Sequence, residues 1–523
     1  MSRASGRLHA ITAMLVADLR QRLRAPRTWL VMAGLAAAMW WMFPAMEAGY
    51  VTMSIDGMRG RYSSAWIGMI AAMIYSALLS LAGFFLVRGT LVRDFETRTW
   101  ELLVATTMHR SAYLFAKWLS HMLLFGLVVG AGLAIGLVVQ WLRAEDRHLD
   151  LIELVKPAVL LTLPTLALTA SVAIWFDLVP WLRRSAGNVL FFVLWVTLMS
   201  IGTAKVERMA GGEPLPWPGD PHGMLVAEHD IDRDWPVAAT PGQDRMLNIG
   251  VQMLGEGEKP VLVDWSHWSV GLDALRARGY WLGIAFVLLG LAVPLLDVCA
   301  ARTSRSSRAA PSGTRLRLLE LLLRPLERWP AGALAAAEVR LVLRGRRWWW
   351  WAALLVLAGF QVFAEVAALA IAVILAWVLL VDVFARVVLR EQETRTGGLV
   401  FTAPAALRRL TVARALVSVA LAWAVTLPAV LRLLSSEPVV ALAILAVGAS
   451  FALWGMAVGA LARNGRLFEL LALSVAYAGL QHASIAYVIA APADTLRLHL
   501  IGLPIALVAL LLALRLPSAG HAR

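Results

Sequence analysis

The sequence predicts an all-α integral membrane protein with about twelve transmembrane helices, arranged as two pseudo-symmetric six-helix halves. Three observations predict it. The composition is oily: 60% of the 523 residues are hydrophobic, only 16% are charged, and the mean hydropathy is +0.71. Apolar runs of about 18 residues or more recur along the chain, each long enough to cross the hydrocarbon as a helix. Two short charged stretches, one early and one late, are near copies of each other. Helices are expected because a backbone N–H or C=O left unpaired in lipid is too costly.

The spans are expected near 28–47, 65–87, 112–142, 156–180, 187–203, 280–299, 348–363, 366–387, 412–431, 439–461, 468–490 and 498–515. The first run, from Trp29, is long and tryptophan-rich and has no small-residue cleavage site, so it reads as a span and not as a removed signal. The stretch 348–387 must hold two short spans around a turn near Phe363 and Glu365. Trp40, Trp41, Trp141, Trp181 and the run at 348–351 fall near span ends, where amphipathic indoles favour the headgroup layer.

Charge then orients the chain. The net charge of +14 follows topology, and no nucleic-acid partner is expected. With the N-terminus inside, cytoplasmic segments collect Arg88, Arg93, Arg98 and Arg110, then Arg183 and Arg184, then the arginines between Arg302 and Arg347. The segment 204–279 has the opposite balance, seven Lys/Arg against twelve Asp/Glu, and is expected outside. Both termini are thus expected in the cytoplasm, and a bacterial inner membrane is the compartment expected from the resemblance given below.

Within 204–279, the stretch EPLPWPGDPHG has prolines at 214, 216, 218 and 221 and should be extended or turning. The stretch DIDRD, at 230–234, opens like a calcium loop, but Trp235 stands where the turn needs glycine, so a solvated acidic loop is the expectation. Cys299 is the only cysteine, which excludes an intrachain disulfide and a cysteine zinc cluster. Asp382 and Arg386, four residues apart on one helical face, are expected to pair. Glu47, Asp177, Asp297, Glu365 and Glu469 are further ionisable groups at or near membrane depth, and such groups are functional candidates by default. Gln481 and His482 form a polar pair in the eleventh span.

The chain divides into a first half at 1–300, a polar Arg/Ser/Pro linker with an amphipathic segment at 301–330, and a second half at 331–523. Each half opens alike, with ADLRQRLRAPRTWL from Ala17 and AEVRLVLRGRRWWW from Ala337. Asp18 matches Glu338, and Arg20, Leu23, Arg24 and Arg27 match Arg340, Leu343, Arg344 and Arg347, an offset of 320. Further on, RDFETRTWELL at 93–103 matches REQETRTGGLV at 390–400 with an offset of 297. Arg93, Glu96, Thr97, Arg98, Thr99 and Leu102 recur as Arg390, Glu393, Thr394, Arg395, Thr396 and Leu399, and Asp94 faces Glu391. Residues 44–66, read as an outer loop, supply the 23 extra residues of the first half. An internal duplication accounts for both offsets, a familiar plan for transporters.

Both copies fall on the cytoplasmic side, after the second span of a half and before the third, ahead of Lys117 and Arg414. The stretch RDFETRTWELLVATTMHRSAYLFAKWL resembles the segment after the second span in permeases of the type-2 ABC exporter family. Glu96, Thr99, Glu101, Leu102, Leu103 and Lys117 fit that pattern in the first half, and Glu393, Thr396, Leu399, Pro404 and Arg414 in the second. Gly398 departs from it where the first half has Glu101. The amphipathic segments at 8–24 and 315–344 resemble the family's elbow helices.

The resemblance implies a permease subunit that moves a hydrophobic or amphipathic substrate outward, along a pathway between the halves. Coupling to the ATPase would use Arg93, Asp94, Glu96, Thr97, Arg98, Thr99 and Glu101 in the first half. In the second it would use Arg390, Glu391, Glu393, Thr394, Arg395 and Thr396. The chain contains no G-x-x-x-x-G-K-[ST] loop, so ATP and Mg belong to separate ATPase subunits, two copies per chain. No cofactor or metal is expected in this chain, and it is not expected to be an enzyme. Membrane lipid surrounds it, and a periplasmic partner acting through 204–279 is the alternative use of ATP-driven motion. An integral-membrane enzyme would need a convergent His/Asp/Glu or Ser/Lys set, and the outer residues offer no such spacing.

Overall fold

The computed structural model describes residues 3–515 apart from 25, 98, 101–107, 184, 210–219, 238–246, 256–257, 300–316, 345, 347, 395, 403–404, 481–484, 487 and 490. It is 77% helical, and eight stretches are long and apolar enough to cross a membrane. The chain is a multi-pass helical membrane protein. It forms two compact units, Met1–Arg308 and Ala309–Arg523.

In the first unit, α1 (Arg3–Leu23) leads into α2 (Pro26–Trp41). The helix expected to run to residue 47 stops at Trp41. Pro44 biases Phe43 away from helical geometry, and the chain then enters a strand. β1 (Tyr50–Ile55) and β2 (Met58–Gly60) form a hairpin whose two turn residues, Asp56 and Gly57, both have positive φ, at 50° and 78°. Asp-Gly is the pair that such a turn favours.

A continuous apolar stretch, Ser64–Glu96, follows. It consists of α3 (Ser64–Ile74), a π turn at Tyr75–Leu79, α4 (Ser80–Val87) and α5 (Thr90–Glu96). Gly89, at φ 91°, makes the joint before α5, a conformation open to glycine. Next, α6 (Arg110–Arg143) is about 51 Å long at 1.5 Å per residue. α7 (Leu151–Pro157), a second π turn (Ala158–Thr162) and α8 (Leu163–Leu178) form the next crossing. Asp150 caps it by accepting the N–H groups of Ile152 and Glu153.

After α9 (Ser185–Met209) come α10 (Met224–Asp234), β3 (Leu247–Met253), β4 (Val261–Val263) and α11 (Leu272–Ala292). The four strands form one sheet in the order β3-β1-β2-β4, with β1 antiparallel to β3 and β2 parallel to β4. The segments 44–66 and 204–279 therefore fold together, and the all-α expectation gains a small β element. The Asp56-Gly57 turn was its legible signal. DIDRD lies in α10, not in a solvated loop. Asp230 is buried, accepts from Trp268 Nε1 at 3.1 Å, and pairs with Arg233 at 2.9 Å. No group of three metal-ligating side chains occurs among the described residues.

The second unit opens with α12 (Arg317–Leu323) and α13 (Pro330–Leu343), followed by α14 (Trp348–Phe363) and α15 (Val366–Val378). The stretch 348–387 is thus two helices around a turn, as expected. α16 (Val381–Arg386), α17 (Arg390–Glu393) and α18 (Gly397–Val400) continue it. α19 (Ala406–Leu433), α20 (Pro438–Ala462), α21 (Gly465–Leu480) and α22 (Pro492–Arg515) complete the unit.

Helix covers the larger part of each expected span among the described residues, although the first stops at Trp41 and the eleventh at Leu480. Eight meet the length and hydropathy needed to cross, and Val31–Trp41, Gly187–Ser200 and Trp348–Phe363 are shorter apolar helices. α21 belongs to neither set. Its expected polar pair, Gln481 and His482, lies outside the described residues, as do the prolines at 214, 216 and 218. Asp382 does not pair with Arg386. It meets Arg346 at 2.8 Å, while Arg386 reaches Glu469 at 3.6 Å, because these partners from other segments approach more closely.

Candidate coupling segments

The first repeated motif lies on α5 and the residues after it. Helical spacing divides its side chains. Glu96, Thr97 and Thr99 are exposed, and Asp94 is buried. Asp94 accepts a hydrogen bond from Tyr113 Oη at 2.7 Å and an ion pair from Lys117 Nζ at 2.9 Å. Tyr113 and Lys117 are four residues apart and share one face of α6. Lys117 also meets Asp18 of α1 at 3.2 Å, and Asp18 is held by Arg22 at 3.0 Å and by the Ser120 hydroxyl. Two buried carboxylates thus face two buried cations. Burial pushes the Asp18 carboxyl up, but Arg22, Lys117 and Ser120 outweigh it and hold the group well below the usual carboxylate range.

The second motif repeats the arrangement within its own unit. Glu393, Thr394 and Thr396 are exposed on α17 and just beyond it, while Glu391 is buried. Arg414 of α19 takes the place of Lys117. Its Nη1 donates to Glu391 at 3.0 Å, its Nη2 donates to the other oxygen, and its Nε donates to Glu338 of α13 at 3.1 Å. Arg390 adds a 2.6 Å bond to Glu338. Burial raises the Glu391 carboxyl, and the hydrogen bonds and charge of Arg414 reverse this to a net lowering.

The threonines repeat as well. Thr97 Oγ1 donates to Arg93 O at 2.9 Å and lies 2.8 Å from Thr99 Oγ1. Thr394 Oγ1 donates to Arg390 O at 2.7 Å and lies 2.7 Å from Thr396 Oγ1. Each pair closes the end of its short helix. Arg93 donates to Gln21 of α1, as Arg390 does to Glu338 of α13. Arg98, Glu101 and Arg395 lie outside the described residues, as do Leu102, Leu103 and Pro404.

The two segments differ in their anchoring. Trp100 is buried against Tyr113, with ring centroids 5.1 Å apart, and against Phe95 at 6.1 Å. The matching positions in the second unit are Gly397 and Leu410, which cannot stack. Asp177, at the end of α8, accepts the backbone N–H groups of Gly89 and Leu91, whereas the residue before α17, Leu389, makes no side-chain cap.

Asp18, Glu338, Lys117 and Arg414 were visible in the sequence as repeated positions, but not as partners. Their signal was the pair of constant offsets. Asp177 stood out only as an acid near membrane depth. Compared with known proteins, the chain matches no family model, no curated protein and no solved structure.

Proposed function

We propose that this chain is the membrane-spanning permease of a type-2 ABC exporter, with two six-span halves that arose by duplication. Separate ATPase subunits, two per chain, dock on the exposed faces Glu96, Thr97, Thr99 and Glu393, Thr394, Thr396. The observation that carries this reading is the repeated division of labour in the motif. In each unit one acid is buried in an ion cluster that ties the segment to two other helices, and the next acid along, two residues later, points to water. A mere connector has no need of that cluster. A rigid, charged surface bonded to flanking helices suits the transmission of force. The substrate class is hydrophobic or amphipathic, in keeping with apolar spans.

The folded outer element, in which 44–66 and 204–279 share one sheet, favours a second use of the same motion, transfer to a periplasmic partner. Native mass measurement of the solubilised complex tests the first reading. One chain with two ATPase copies is the expected species. Two copies of this chain in the smallest active unit would overturn it.

A further inference from the structure

We propose that Asp177 is a positioning residue that joins the first coupling segment to the inner half of α8, so that the two move as one lever about a pair of facing π turns. The proposal rests on the exporter reading above. Asp177 is 1% exposed. Its carboxylate accepts Gly89 N–H with both oxygens, at 2.8 and 2.7 Å, and Leu91 N–H at 3.2 Å. The turn after α8 is stitched to the same place. Arg183 donates to Asp177 O at 2.6 Å and to Leu178 O at 2.8 Å, and Arg88 donates to Leu182 O. The coupling segment therefore has no route of movement that leaves the inner end of α8 behind.

Outward of this clamp, each crossing carries one π turn, Tyr75–Leu79 in one and Ala158–Thr162 in the other. Such turns give up the regular i to i−4 bonding and are places where helices bend. These two face each other. Thr162 Oγ1 donates to Ala72 O at 3.0 Å and lies 3.5 Å from Ser76 Oγ. Beyond them the outer ends are locked together again. A Cβ on Gly68 would sit 2.5 Å from Leu154 O, and Asp150 N–H donates to Ser64 Oγ at 3.0 Å. Two clamped ends with matched soft turns between them make a paired lever. The second unit lacks this device among its described residues, since α20 runs from Pro438 to Ala462 as an uninterrupted α-helix.

The test is hydrogen exchange on the full solubilised chain, comparing wild type with Asp177→Asn, Asp177→Ala and Asp177→Glu. Asp177→Asn keeps the side-chain size should the alanine variant not fold. Amides of 89–97 and 163–178 should exchange about tenfold faster in Asp177→Asn, with 64–74 and 151–157 unchanged and with recovery in Asp177→Glu. Unchanged exchange at 89–97, or loss of protection running through both crossings past the π turns, would overturn the lever. With the ATPase added, Asp177→Asn should bind it as wild type does yet lose the stimulation of ATP turnover, which a purely structural role would leave in place. Failure of the wild-type chain to bind any ATPase would sink the exporter reading, and the exchange pattern would still decide the lever.

Discussion

Arg414 grips Glu391 with two guanidinium nitrogens, where the corresponding pair in the first unit, Lys117 and Asp94, meets through a single ammonium contact at 2.9 Å. The fork replaces support that the second unit lacks. Lys117 shares Asp94 with the Tyr113 hydroxyl, and Leu410 has no hydroxyl to offer. Bidentate geometry restores a second hydrogen bond to the carboxylate.

Removing the central cation of either cluster should be severe. Arg414→Met strips buried Glu391 of its bound cation and leaves Glu338 to Arg390, and Lys117→Met strips buried Asp94 of its cation and leaves Asp18 to Arg22. Each should cost about 3–5 kcal/mol, the usual penalty for an orphaned buried charge. Arg414→Lys should cost less than Arg414→Met, because charge survives while the fork is lost. Thermal unfolding in detergent checks the order, and equal midpoints for all variants would contradict it.

The exposed acids should behave differently. Glu96→Lys combined with Glu393→Lys should leave the melting midpoint and membrane insertion unchanged while abolishing ATPase co-purification, since both side chains face water. Full retention of the ATPase would remove these faces from the docking surface.

The element that carries the small sheet and α10 should show two opposed pH dependences. Burial and the neighbouring Asp232 and Asp220 carboxylates push Glu228 up to about 7. Its folded form holds a proton that the unfolded chain has already released, so stability falls as pH rises from the ordinary carboxylate range through 7. Burial beside Arg278 pushes His222 down to about 3. That stability is present above the ordinary histidine value and is lost as pH falls below it. Glu228→Gln should remove the first slope and expose the second. Melting curves between pH 5 and 8, about the range where both groups act, read this directly. A variant that still loses stability on going from pH 6 to 8 to the same extent as wild type would refute the assignment.

Close packing at Gly132 should be intolerant of a methyl group. A Cβ there would lie 1.7 Å from Tyr75 Oη, and Tyr75 is 1% exposed with little room to retreat. Gly132→Ala should destabilise by about 1–3 kcal/mol. Gly130→Ala, two residues away with nothing within 4 Å, should not. Restored stability in Gly132→Ala with Tyr75→Leu would confirm that the Tyr75 ring is the obstacle, since its Cζ and Cε2 also lie only 2.4 and 2.5 Å from the added Cβ.

The side of the outer element is tested by labelling. In a Cys299→Ala background, Asp232→Cys lies on an exposed position of α10 and should react with an impermeant reagent from outside the membrane. Reaction only after the membrane is opened would invert the proposed orientation.

What was legible in the amino-acid order was what depends on neighbours along the chain. Apolar runs located the eight helices long and apolar enough to cross a membrane, and the turn between α14 and α15, because hydrophobic length is a local property. Near-identical stretches marked the two candidate coupling segments, and their constant offsets paired Asp18 with Glu338 and Lys117 with Arg414 as equivalent positions. Tertiary structure alone decided which groups meet. Asp18 and Lys117 are 99 residues apart, Asp177 and Gly89 are 88 apart, and β1 finds β3 across nearly two hundred residues. Asp382 illustrates the difference. Spacing offered it Arg386 on the same helical face, but the fold brought Arg346 to 2.8 Å. An ion pair forms with the partner that packing delivers, and packing sums contacts from segments that no local pattern connects.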